Sequence, residues 1–190
     1  MNFVGMNDKR GWKNPRYKWL AQLINENNYR IGAEIGVDLG TTTQYILMHC
    51  PGLELLYAVD LWDRPTQIGR NRKTREWINH PDKDIALRTF NDRIYPFQDR
   101  VKVLRGISWE MAELVPDGSL DFVFIDADHK YRSVKNDIQA WAQKVRKGGL
   151  ITGHDINMRG VYRAVKELAK EYTDVGVDKC WVCKKEDMRI

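Results

Sequence analysis

Asp121 to Tyr131 reads DFVFIDADHKY. Phe122 to Ile125 is the unbroken apolar run of a strand buried on both faces, and it gives way at once to Asp126, Ala127, Asp128 and His129. Charged groups are costly to bury and cheap to place at a strand's mouth, so this cluster is either a helix start or a site. The residues that follow supply a helix. Tyr131, Val134, Ile138, Trp141 and Val145 recur at steps of 3, 4, 3 and 4, which makes one apolar stripe to lie on a sheet. Gly148 and Gly149 are expected to stop it, and Leu150 to Thr152 reads as the next strand. Strand, helix and strand in that order form a parallel crossover unit.

The same alternation extends in both directions. Upstream lie a helix from Pro15 to about Asn28, with Trp19, Leu20, Leu23 and Ile24 at helical spacing, a strand at Ile31–Ile35 and a helix from Thr42 to His49. Strands at Leu55–Val59 and Val101–Leu104 and a short helix from Trp109 to Leu114 lead to the strand Leu120–Ile125. Downstream, residues 160–171 read as a helix with Val161, Val165 and Leu168 inward, followed by strand-like runs around Val175 and at Trp181–Val182. The pattern predicts an α/β fold, a doubly wound, mostly parallel sheet with helices on both faces. The last two strands, in hairpin order, add an antiparallel edge.

With 190 residues, 43% hydrophobic and 11% aromatic, the chain suits one domain over residues 1–190. A net charge of +5 is a mild basic excess, below that of a nucleic-acid-binding composition. No stretch approaches the roughly 18 apolar residues of a membrane span, and the first residues lack the apolar run of a secretion signal, so a cytoplasmic protein with no membrane partner is expected. Residues 1–14 read as a loosely held basic arm. Between Leu61 and Arg100 a single crossover is replaced by a basic, lid-like insertion carrying Arg64, Arg70, Arg72, Lys73 and Arg75 and a helix from Asp84 to Ile94. Cys180 and Cys183 spell CWVC in a strand-patterned run, where residues three apart face opposite ways, so these and Cys50 read as ordinary thiols.

Chemistry concentrates at strand ends. Ala33 to Gly40 reads AEIGVDLG, a strand passing into a glycine turn, with Thr41, Thr42 and Thr43 at the start of the next helix. Such glycines let backbone pass close to a ligand, and the helix start offers free amide donors. Asp60, 20 residues after Gly40, ends the next strand where it can accept hydrogen bonds from a ribose diol. An adenosine-containing cofactor follows. A dinucleotide loop has a second Gly where this one has Asp38, and carboxylates at 34 and 38 repel a pyrophosphate but not an amine and a sulfonium.

In order and spacing, the loop Glu34 to Gly40, Asp60 in YAVDLW, Gly106 and Ser108, FIDADH and KGGLITGHD resemble the class I S-adenosylmethionine (SAM) dependent methyltransferases over about residues 31–184. The resemblance is to the branch with catechol-type and macrolide-sugar O-methyltransferases, and it implies a seven-stranded Rossmann-like methyltransferase sheet. It places Glu34, Gly36 and Gly40 along the methionine end of SAM, with Asp38, Thr41, Leu61 and Asp126 beside it, Asp60 on the ribose and Ser108 at the adenine. The metal ligands of catechol-type relatives fall on Asp126, His154 and Asp155, an O, N, O set for a divalent ion such as Mg²⁺ or Mn²⁺. The metal-free alternative leaves Asp126 facing cofactor and acceptor and His154 or His129 as the base. Asp128 reads first as a cap of the following helix, and Ser108 as both cap and ligand. DADH in place of an Asn/Asp-Pro-Pro-aromatic run favours hydroxyl acceptors, so the expected activity is methyl transfer to a hydroxyl of a small, anionic or sugar-containing molecule. A nucleic-acid methyltransferase, with Lys9, Arg10, Lys13, Arg16 and Lys18 tracking a backbone, and a SAM-binding protein without transferase activity are the other readings. A homodimer is compatible with all of them.

Overall fold

The computed structural model describes residues 15–63, 66–70, 77–82 and 84–190. The expected arm over 1–14, and Arg64, Arg72, Lys73 and Arg75 of the insertion, lie outside these residues.

The strand β1 (Ile31–Ile35) stands at the centre of the main sheet, between β2 (Leu55–Asp60) and β6 (Leu120–Ile125), both parallel to it. Beyond β2 lies β5 (Val101–Arg105), and beyond β6 lies β7 (Val145–Gly153), again parallel. On the β7 side, β9 (Trp181–Lys184) runs antiparallel, with β8 (Thr173–Asp174) outside it, which completes a seven-stranded sheet of order β5-β2-β1-β6-β7-β9-β8. This is a doubly wound Rossmann-like sheet with an antiparallel C-terminal edge, as the sequence pattern predicts.

Strand periodicity divides the core into two layers. Ala33, Ile35, Tyr57, Val59, Val123 and Ile125 face α5 (Tyr131–Lys144) and α6 (Arg159–Leu168). Their alternates Leu56, Ala58, Phe122 and Phe124 face α1 (Pro15–Glu26), α2 (Thr41–His49) and α3 (Ile85–Ile94). Trp141 of α5 is completely buried, and its indole donates to the Ser108 hydroxyl at 3.0 Å. The orphan carbonyls at the end of α2 are covered by Arg100, whose guanidinium donates to the backbone oxygens of Leu47, Cys50 and Leu53.

Several boundaries differ from the sequence reading, three of them for reasons visible in the packing. Helix α5 ends at Lys144, and Gly148 and Gly149 sit inside β7, where its pairing with β6 jumps from Leu120–Val145 to Phe122–Leu150. A Cβ on Gly149 would lie 2.5 Å from the Asp121 carbonyl oxygen, so these glycines serve a tight strand crossing rather than a helix stop. Helix α6 stops at Leu168 because Ala169 turns extended and bridges to Met188. The short helix α4 is Ser108–Met111 and a 3₁₀ turn continues it to Leu114. The insertion holds a hairpin of β3 (Gln67–Arg70) and β4 (Trp77–Asn79), then α3, which is anchored by fully buried Phe90 against Trp62.

Candidate functional site

The C-terminal ends of β1, β2, β5 and β6 open into a cavity of about 480 Å³, within the range of small-molecule sites. Its lining includes Gly36, Asp38, Asp60, Leu61, Ser108 and Asp126 of the expected cofactor residues. Gly36 has φ +87°, and a Cβ there would lie 2.2 Å from the Asp126 carbonyl oxygen, so only glycine lets the loop after β1 close against the end of β6. Asp60 fastens the same loop: its carboxylate accepts from the Asp38 amide at 2.8 Å and from the Trp62 amide at 3.0 Å. These two bonds hold its side chain in place at the rim.

Glu34, Gly40 and Thr41 do not line the cavity. Gly40 backs onto Phe90, and the Thr41 hydroxyl accepts from Arg93. Glu34 is 2% exposed beneath the loop, where it accepts from the Thr43 hydroxyl at 2.6 Å. Burial pushes its carboxyl up to about 8, so at neutral pH it is mainly the neutral acid and the repulsion of a pyrophosphate falls to its neighbours. The folded state thus keeps a proton that the unfolded chain releases near pH 4.5. Stability from this group is present below that pH and is lost as pH rises towards 8, on the order of 1 kcal/mol per pH unit. Glu34→Gln, which cannot ionise, is expected to flatten the fall in urea midpoint between pH 5 and 8, and parallel curves for variant and wild type would refute this.

Several wall residues were not singled out from the sequence: Trp62, Ile107, Trp109, Ser133 and Asp137. Asp137, on α5, is 1% exposed, and burial pushes its carboxyl up to about 7 despite a hydrogen bond with Ser108. The two capping assignments change. Ser108 lies one residue inside α4 and partners Trp141, while Lys130 holds the N-cap position of α5. Asp128 instead accepts from the His129 amide at 2.9 Å and the Ser133 hydroxyl at 2.8 Å and lines the cavity.

Beside Asp126 lies a dense ionic cluster. His154 Nδ1 is 3.5 Å from an Asp126 oxygen and 3.1 Å from Asp155, and its Nε2 is 3.5 Å from Asp178. His129 Nε2 is 2.7 Å from Asp155. Burial alone would lower the His154 pKa, but the Asp126 and Asp155 carboxylates outweigh it and raise the value above the ordinary range. Asp126, His154 and Asp155 present ligand atoms within 4.8 Å of one another, which is compatible with a divalent ion. Yet Arg16, at the start of α1, already donates from Nη1 to Asp126 Oδ2 at 2.7 Å, with its side chain 15% exposed. Arg16 is therefore part of the site rather than of a surface-tracking basic arm. A divalent ion would have to compete with this fixed cation for the same carboxylate and would be repelled by it. With Arg16 in place the cluster does not fit a metal.

The three cysteines are buried, and burial pushes the Cys50 thiol up to about 11 and those of Cys180 and Cys183 up to about 12, far from reactive thiolates. Among the described residues no helix is long and apolar enough to cross a membrane.

Comparison with known proteins agrees with this geometry. The fold is similar to that of cofactor-bound Rv0187 from MTB, with TM-score 0.67 and 16% identity over 98% of this chain and 84% of that one. It is also similar to an O-methyltransferase from Bacillus cereus in complex with SAH, with TM-score 0.61 and 19% identity over 89% and 80% of the two chains. A methyltransferase from Geobacter sulfurreducens gives TM-score 0.63 and 15% identity over 90% and 78%. No curated protein matches the chain at the level of sequence. Residues 33–156, from the strand that carries the glycine loop to the acids and histidines after β7, match the family model described as a methyltransferase domain, and the chain belongs to that family.

Proposed function

We propose that the protein transfers the methyl group of SAM to a hydroxyl of a small molecule. The observation that carries this reading is one cavity with Gly36, Asp38, Asp60 and Asp126 in its lining, and the His154 and His129–Asp155 groups clustered beside that Asp126 at the ends of β6 and β7. The Asp60 carboxylate suits a ribose diol, and the carboxylates around Gly36 suit a cofactor that carries an amine and a sulfonium. The cofactor supplies an activated methyl group; the protein aligns the acceptor and removes its proton.

Two imidazoles are available for that proton. His154 is 11% exposed and faces carboxylates from both ring nitrogens, whereas His129 is 40% exposed and has Asp155 behind Nε2. An acceptor can approach His129, so His129 is the base, Asp155 orients it, and His154 holds Asp126 and Asp155 in register. In the described part of the 61–100 insertion, Trp62, Asp63 and Ala86 line the cavity, which supports a covering role for the insertion over the acceptor. The net charge of +5 favours an anionic or sugar-phosphate-like acceptor over a neutral one.

The test is a transfer screen with labelled SAM against catechols, sugar hydroxyls, hydroxy acids and nucleic acid. Label in a small hydroxyl compound is expected. Label confined to nucleic acid, or to nitrogen acceptors, would overturn the proposal.

A further inference from the structure

We propose that Arg16 takes the place of a divalent metal in this site, so that the transfer is metal-independent and residue 16 decides whether the acid cluster admits an ion. The cluster of Asp126, His154 and Asp155 has the donor types of a metal site, but hard divalent cations need those atoms to converge at about 2.0 to 2.2 Å from one point. Here one oxygen of Asp126 is taken by a guanidinium at 2.7 Å, and the same side chain reaches to 3.9 Å from Asp178. That positive charge is permanent, because arginine does not lose its proton in proteins. It is also tethered. Leu20 and Ile24, on the same face of α1, are buried against the sheet, and Tyr17 packs against Tyr45 of α2 as a tilted pair with ring centroids 5.9 Å apart. A free ion therefore competes with a cation that is always present at the site. The middle donor weakens the ion's case further, since an imidazole contributes no negative charge.

Arg16, His154 and Asp178 are thus one arrangement. The guanidinium neutralises Asp126 beside the cavity, the imidazole spans the carboxylates, and Asp178, from the turn before β9, closes the far side. The inference rests on the acceptor lying at this cluster, but its test needs neither SAM nor acceptor, so its failure is distinguishable from failure of the methyl-transfer reading.

The test is Mn²⁺ binding at neutral pH, followed by the electron spin resonance of the free ion, for the full chain and for Arg16→Gln. The wild type is expected to show no saturable binding at this cluster, and Arg16→Gln to bind at least about tenfold more tightly. Adding Asp126→Asn to Arg16→Gln is expected to abolish the gain. Equal Mn²⁺ binding by wild type and Arg16→Gln, whether strong or absent, would overturn the proposal. Should Arg16→Gln fail to fold, the wild type alone decides: its melting temperature is expected to be unchanged by millimolar Mn²⁺, and a concentration-dependent rise that Asp126→Asn removes would overturn it.

Discussion

His129→Ala is expected to lower turnover about 10²- to 10⁴-fold while leaving SAM affinity nearly unchanged. The asymmetry follows from position. His129 is absent from the residues that line the cavity, and it lies beside Asp126, which does line it, at 4.0 Å. Its Nε2 faces Asp155 at 2.7 Å, so Asp155→Asn, which keeps the shape and removes the charge, is expected to reproduce part of the loss. His154→Ala is expected to cost less than His129→Ala, because its side chain is 11% exposed and its nitrogens face Asp126, Asp155 and Asp178. If His154→Ala proves the more damaging, the base is His154. Near-wild-type rates in all three variants would mean that these groups are structural. Chelator is expected to leave each of these rates unchanged.

Asp60→Ala is expected to weaken binding of SAM and of its demethylated product by about 10²-fold or more. Two hydrogen bonds from a ribose diol to a carboxylate are each worth roughly 1.5 to 3 kcal/mol, and the substitution also releases the loop that Asp60 holds through the Asp38 and Trp62 amides. Asp60→Asn retains one acceptor oxygen and is expected to lose about tenfold. Both effects should appear in calorimetry with the product as well as with SAM, since the contact is to the ribose and not to the methyl group. Unchanged affinity in Asp60→Ala would leave Asp60 with its role in the loop alone.

The strand-end acids were legible because the sheet makes them so. Apolar runs at β1, β2 and β6 have to stop on something polar where they reach solvent, and Glu34 aside, those stops are the cavity rim. In DFVFIDADHKY the two ends of one strand divide between stability and chemistry. Asp121 accepts from the Arg30 and Ile31 amides and from Arg146, tying the near end of the sheet together, while Asp126 opens onto the site. Arg16 was not legible as a partner of Asp126, nor Asp178 as a neighbour of Arg16 and His154. Arg16 lies 110 residues away from Asp126 in sequence, and only the strand order brings α1 and the turn before β9 to one point.

A signal for two of the missed residues was nevertheless present. Arg16 is four residues before Leu20, and Asp137 lies three after Val134 and four before Trp141, so each places a charge on the buried stripe of its helix. Such a charge must find a partner or a ligand. Glu34 shows the converse, since a polar residue at a strand end can still fall beneath a loop. Strand position cannot reveal this when the residue faces the helix that packs on it, here through Thr43.

A SAM site in the cavity at the ends of β1, β2, β5 and β6 is tested most directly by a calorimetric titration of the wild-type chain with SAM, its demethylated product and NAD. One-to-one binding of SAM and of the product in the micromolar range, with no heat from NAD, is the expected result. No binding of SAM, or tighter binding of NAD, would contradict it.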